Sequence, residues 1–134
     1  MLDTSVAVPL LTAAHARHEA VAAWASGREL VIGGHAALET YSVLTRLPGD
    51  SRVAPADAIA LLDENFGDPL VLEEDRAVDV HRELACHAVT GGAVYDGLVA
   101  LAARRHAAIL ATRDARARST YEALGVRIEV LADT

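Results

Sequence analysis

The stretch Val94-Tyr95-Asp96-Gly97-Leu98-Val99-Ala100-Leu101-Ala102-Ala103-Arg104-Arg105, followed two residues later by Ala108-Ile109-Leu110-Ala111-Thr112-Arg113-Asp114, decides the fold. The first part carries apolar residues at helical spacing and ends in two arginines, the charge that a helix C-terminus favours. The second is a short apolar run that turns polar at its end, as a buried strand does. A helix leading directly into a buried strand is half of a crossover unit, and crossovers join parallel strands.

The same alternation extends outward in both directions. Met1-Leu2 is a short first strand with Asp3 at its end, and Ser5 to Leu11 a short helix closed by Thr12. Ala14 to Ser26 reads as an amphipathic helix, with Gly27 as its C-cap. Glu29 to Ile32 is a strand broken by Gly33-Gly34, and Ala36 to Leu47 a helix stopped by Pro48-Gly49. Pro55 opens a helix that runs to Asn65, at the first-turn position where its missing N–H costs nothing. Pro69 to Leu72 is a strand, and Glu74 to His87 a helix with an acidic first turn. Ala115 to Leu124 is the last helix and Val126 to Leu131 the last strand. The expectation is an α/β chain, a three-layer α/β/α sandwich with a mainly parallel central sheet, forming one domain over residues 1–134.

Composition narrows the chemistry. Hydrophobic residues make up 52% of the 134 and charged residues 23%, which supports a filled core and excludes disorder. Aromatics are only 4%, too few for the extended stacking platforms of single-strand binders. No apolar run is long enough to span a membrane, and the opening Met1-Leu2-Asp3-Thr4-Ser5 does not read as a signal peptide. Cys86 is the one cysteine, so no internal disulfide forms, and a reducing cytoplasm is the expected location. The chain has no lysine, and all twelve basic residues are arginine. That removes phosphate-binding P-loops and lysine Schiff-base chemistry. It also disfavours receiver domains and haloacid-dehalogenase-like phosphatases, which pair a strand-end Asp with a Lys.

The net charge of −7 is unevenly spread. Residues 50–83 carry ten acids against three arginines, whereas residues 95–134 carry six arginines against five acids. Asp96 and Asp114 are two of those five. If a dication neutralises them, the C-terminal third is distinctly positive, with Arg104, Arg105, Arg113, Arg116 and Arg118 clustered there. Those arginines form either a solvated helix face or a phosphate-gripping surface.

Four acids stand out: Asp3, Glu39, Asp96 and Asp114. Asp3 and Asp114 end strands, so both point to the rim where open parallel sheets bind ligands; each is also a plausible helix N-cap. Glu39 shares an inward-looking helical stripe with Ala36, Val43 and Leu47, with Arg46 as a possible structural partner. Asp96 is the sharpest, because Val99, Ala100 and Ala103 surround it at helical spacing and none is basic. Carboxylates crowded together repel one another and raise one another's pKa. Mg²⁺ or Mn²⁺ relieves that repulsion and prefers oxygen ligands. Histidines 15, 18, 81 and 87 lack zinc-site spacing and read as surface or packing residues.

The opening Leu-Asp-Thr-Ser, the Glu in the third helix, the Tyr-Asp-Gly-Leu-Val-Ala-Leu-Ala helix and the strand leading into Thr-Arg-Asp resemble, in that order, the PIN-domain nucleases. The closest likeness is to the VapC-type toxins of bacterial toxin–antitoxin pairs, over essentially the whole chain. The resemblance implies a metal-dependent endoribonuclease, a homodimer, and a small cognate antitoxin protein as inhibitor. It places the family's acids at Asp3, Glu39, Asp96 and Asp114, with Ser5 and Thr112 as hydroxyl support. The expected mechanism holds Mg²⁺ or Mn²⁺ chiefly on Asp3 and Asp96, with Asp114 direct or through water. Glu39 then positions or deprotonates the attacking water. Which RNA is cut (tRNA, rRNA or mRNA) is not readable from the chain. A catalytically idle PIN-like module and a metal-dependent phosphatase are the competing expectations.

Overall fold

The computed structural model describes residues 1–132. Its sheet is narrow and wholly parallel. Strand β1 (Leu110–Thr112) pairs in parallel with β2 (Ile128–Val130), Leu110 opposite Ile128. Leu2 forms parallel bridges to both Ala111 and Ile32, and Gly33 bridges Leu70. The strand positions therefore lie side by side as Leu70, Ile32–Gly33, Leu2, β1 and β2, so chain order reverses between Leu2 and β1. That reversal is a topological switch point. The short first strand is pinned on both sides: Leu2 N donates to Val31 O at 2.9 Å, and Asp3 N to Ala111 O at 3.1 Å.

Eight helices make the connections among the described residues. Helices α1 (Thr4–Leu11) and α2 (His18–Ala25) join the first strand to the second, and α3 (Gly34–Thr45) and α4 (Pro55–Phe66) join the second to the third. Helices α5 (Glu74–Ala77), α6 (Val80–Cys86) and α7 (Ala93–Arg105) lead to β1, and α8 (Arg118–Ala123) leads to β2. Parallel crossovers are right-handed, so reversing the strand order moves the helices to the opposite face. The packing agrees: α1 touches α2 and α3, and α3 touches α4, while α7 packs on α6 and α8. This is the expected sandwich. Leu2, Val6, Ile32, Ala36, Ala100, Leu110 and Leu124 fill its centre with little or no exposure.

Three expectations are corrected. The expected strands at 29–32 and 69–72 shrink to bridges at Ile32–Gly33 and Leu70. The helix expected over 74–87 is broken at Asp79, whose side chain caps neither half and instead accepts Arg82 Nε–H at 3.1 Å. The helix expected from Ala14 starts at His18, because a turn intervenes in which His15 Nδ1 accepts the Arg17 backbone N–H at 3.0 Å.

Gly97 shows how tightly α7 is seated. A Cβ there would stand 2.5 Å from Leu84 Cδ2, and Leu84 is buried on α6. Gly97→Ala is expected to destabilise the protein by about 1–3 kcal/mol through overpacking, despite alanine's better helix propensity. Urea unfolding checks this; a gain in stability would show that Leu84 has room to move.

Candidate active site

The switch point places Asp3 and Asp114 next to each other at the carboxyl ends of neighbouring strands. Glu39 comes from α3 and Asp96 from the first turn of α7, two helices in contact with each other. All four acids line one open cleft of about 360 Å³, together with Ser5, Val8, His15, Val99, Arg113 and Tyr121.

Asp3 is the buried member, 3% exposed. Its side chain caps no helix. Instead Oδ1 accepts the Ser5 hydroxyl at 2.5 Å and Oδ2 accepts the Tyr121 hydroxyl at 2.9 Å. Burial raises the Asp3 pKa, and the hydroxyls of Ser5, Thr112 and Tyr121 partly offset that rise. Tyr121 is in turn pushed far above the usual phenol range by burial and by Asp3. It stays a protonated donor.

Ser5 and Thr112 form the floor between the two strand ends, their oxygens 3.5 Å apart. Ser5 Oγ accepts the Arg113 backbone N–H at 2.7 Å, and Thr112 Oγ1 accepts that of Asp114 at 3.0 Å. Asp114 accepts the Arg116 backbone N–H at 2.9 Å, so it closes a turn rather than capping α8, whose N-cap is Ala117.

The Asp96 pKa is raised, first by burial and then by the charges of Asp114, Glu39 and Asp3. The three other carboxylates thus act on Asp96 in the direction expected of a convergent set. Glu39 departs from expectation. It is exposed rather than inward-facing, and its partner is His35, at 3.4 Å one helical turn earlier, in place of Arg46.

The arginines divide. Arg113 lines the cleft. Arg116 stands nearby, almost fully exposed, 3.5 Å from Asp114. Arg118 pairs with Glu122 on its own helix at 2.9 Å. The structure does not bring Arg104 and Arg105 to the cleft. They lie about 12–14 Å further along α7 than Asp96. There Arg104 pairs with Glu83, and Arg105 pairs with Glu73 through two nitrogens. The acidic 50–83 segment thus holds the two residues expected to hold RNA. Arg105→Gln is expected to change RNA cleavage less than about twofold, since an exposed ion pair contributes little. A tenfold loss in initial rate would return it to the substrate path.

Two residues of the site lay outside the sequence expectation. Tyr121 stands 118 positions from Asp3, and nothing in its own helix marks it. His15 was read as a surface or packing residue, but it lines the cleft and its pKa is lowered by burial and by Arg113 and Arg17.

The donor set fits a hard divalent cation. The polar side chains that line the cleft are mainly carboxylates, backed by hydroxyls, with a surplus of negative charge. Among the described residues no three His, Cys, Asp or Glu side chains form a ready-made chelating group. Mg²⁺ and Mn²⁺ prefer oxygen donors of the kind that line this cleft and keep several waters.

Residues 1–123 match the PIN domain family model. The chain is 57% identical over 131 residues to Ribonuclease VapC27 of Mycobacterium tuberculosis, covering 98% of this chain and 96% of that protein. It is 45% identical over 130 residues to Ribonuclease VapC40 from the same species, covering 96% of each. The fold is similar to that of a solved structure described as FitAB bound to an IR36 DNA fragment. The TM-score is 0.66 at 21% identity, over 96% of this chain and 92% of that one. With four acids from four segments around one cleft, and a match running nearly end to end, the chain belongs to the PIN domain family.

Proposed function

We propose that the protein is an Mg²⁺- or Mn²⁺-dependent endoribonuclease, the toxin of a type II toxin–antitoxin pair. The observation that carries this is the convergence of Asp3, Glu39, Asp96 and Asp114 on one cleft at the switch point. The names of its two relatives, both ribonucleases, support the substrate class.

Asp3 and Asp96, with Asp114 beside them, would hold the cation, which supplies charge neutralisation at the phosphate and an acidified water. The hydroxyls of Ser5 and Tyr121 fix the Asp3 carboxylate in one orientation. Glu39, half-open to solvent and steadied by His35, takes the proton from the attacking water. Arg113 on the cleft wall orients the phosphodiester. Water adds to phosphorus as the bond to the 3′-oxygen breaks, and the departing oxygen takes a proton from solvent, giving 5′-phosphate and 3′-hydroxyl ends.

The test is digestion of total RNA by the purified protein in Mg²⁺ or Mn²⁺ and in EDTA, with the cleavage ends mapped by sequencing. Metal-dependent cuts bearing 5′-phosphates support the reading. RNA bound but left intact in Mn²⁺ would point to an idle module. Hydrolysis of a small phosphate ester without RNA cleavage would point to a phosphatase. The homodimer and the cognate antitoxin are part of the same proposal. They are tested by light scattering and by whether a co-expressed small neighbouring protein copurifies and blocks cleavage. Among the described residues no helix is long and apolar enough to cross a membrane, and the cytoplasm is the proposed location.

A further inference from the structure

The five aromatic residues of the chain have distinct surroundings. Phe66 and Tyr121 are buried. Trp24 lies 4.5 Å beneath the Arg28 guanidinium and donates to Glu129 at 2.8 Å. Tyr41 is half-buried against an apolar hollow between α3 and α4. Tyr95 alone among them is largely exposed, at 58%. It sits directly before Asp96, in the first turn of α7. Its ring is stacked on the His35 imidazole, 5.5 Å between centroids and 14° from parallel. His35 in turn contacts Glu39 at 3.4 Å. The Tyr95–His35 pair thus adjoins Asp96 along the chain and Glu39 by contact, two acids that line the cleft, although neither ring lines it.

An exposed tyrosine has no structural reason to be held flat. Here the His35 imidazole stacks against one face, and the Glu39 carboxylate stands 3.4 Å from that imidazole. An aromatic ring fixed this way is a preformed stacking partner for a nucleobase, because every base has a π face. Two further features favour a base over a protein side chain. The neighbouring groups, Asp96 and Glu39, are those proposed to handle a phosphodiester, whose nucleotides carry a base on either side. The ring is also already ordered, so stacking costs little side-chain entropy.

We infer that Tyr95, backed by His35, stacks the nucleobase flanking the phosphate held in the cleft, and so positions unpaired RNA for cleavage. The inference rests on the ribonuclease reading and deepens it. Composition excluded an extended stacking platform; a single plate at the cleft requires only one residue.

The test uses an RNA oligonucleotide spanning a cleavage site mapped on total RNA, together with copies carrying one abasic nucleotide at each position near the cut. With the parent protein, one abasic position should lower kcat/KM by about 5- to 150-fold, the range measured for one base–aromatic stack. Tyr95→Ala should lower kcat/KM on intact RNA by a similar factor, make that abasic position harmless, and leave the melting temperature close to the parent's. Tyr95→Phe and Tyr95→Trp should restore the parental pattern. Parental cleavage by Tyr95→Ala, or an abasic penalty undiminished in that variant, would overturn the inference and leave the ribonuclease reading standing. A parent protein that cuts no RNA would remove both.

Discussion

Asp96→Asn is expected to slow RNA cleavage about 10³-fold, the loss of roughly 4 kcal/mol of transition-state stabilisation from a cation site. It is also expected to melt at a higher temperature than the parent in metal-free buffer. The two effects share one cause. Burial and the charges of Asp114, Glu39 and Asp3 disfavour the ionised Asp96 in the folded state. The helix dipole at the first turn of α7 favours that charge by only about 0.3–1 kcal/mol, and the raised pKa shows that it loses. A carboxyl that binds its proton more tightly when folded stabilises the protein below its ordinary pKa. That contribution is lost as pH rises through the folded value. Asp96 and Asp3 are both raised, so both act in this direction.

The metal-free parent should therefore lose stability as pH climbs from about 4 toward neutrality, and Asp96→Asn should lose less. Thermal scans from about pH 4 to about pH 8 in EDTA check this. Adding Mg²⁺ should raise the parent's melting temperature more than the variant's, because a ligand of the folded state stabilises by mass action. A variant that melts below the parent near neutral pH would show that Asp96 is held by partners rather than repelled by neighbours.

How much of this was legible in the sequence depends on how local the signal was. Asp96 was legible because none of its neighbours at helical spacing, Val99, Ala100 and Ala103, can neutralise it, a fact readable within two turns. Asp3 and Asp114 were legible because an apolar run ends at each. The spatial order of the strands, which brings those two ends together, is a property of the whole chain. The inward-looking stripe read for Glu39 failed for a physical reason. Helical spacing gives which residues share a stripe, but not whether the stripe faces the core or an open cleft. Arg104 and Arg105 were misplaced because proximity in sequence to Asp96 becomes distance along a helix axis. The carboxylates that hold them, Glu83 and Glu73, are 21 and 32 residues away. The break at Asp79 in the helix expected over 74–87 was hidden because no proline or glycine marks it.

Tyr121 had no local signal at all, and its removal is the second large effect. Tyr121→Phe keeps the buried ring and deletes only the hydroxyl that donates to Asp3 Oδ2 at 2.9 Å. Asp3 is almost fully buried, so no water easily replaces that donor. The unsatisfied oxygen should cost about 1–3 kcal/mol of stability. Loss of a hydrogen bond to the ionised form also moves the Asp3 pKa further up, so the variant's stability should fall more steeply with rising pH than the parent's.

A carboxylate freed to rotate, and more often protonated, is a poorer ligand. The Mg²⁺ concentration giving half-maximal cleavage should therefore rise about 10- to 100-fold, as for other residues that orient a metal ligand. Saturating Mg²⁺ should recover much of kcat, because Tyr121 acts through Asp3 and not on the phosphate. Titrating Mg²⁺ in the cleavage assay, alongside calorimetric Mg²⁺ binding to both proteins, separates this from simple loss of fold. An unchanged half-maximal Mg²⁺ concentration in a less stable variant would assign Tyr121 to the core alone, and would leave Ser5 as the residue that orients Asp3.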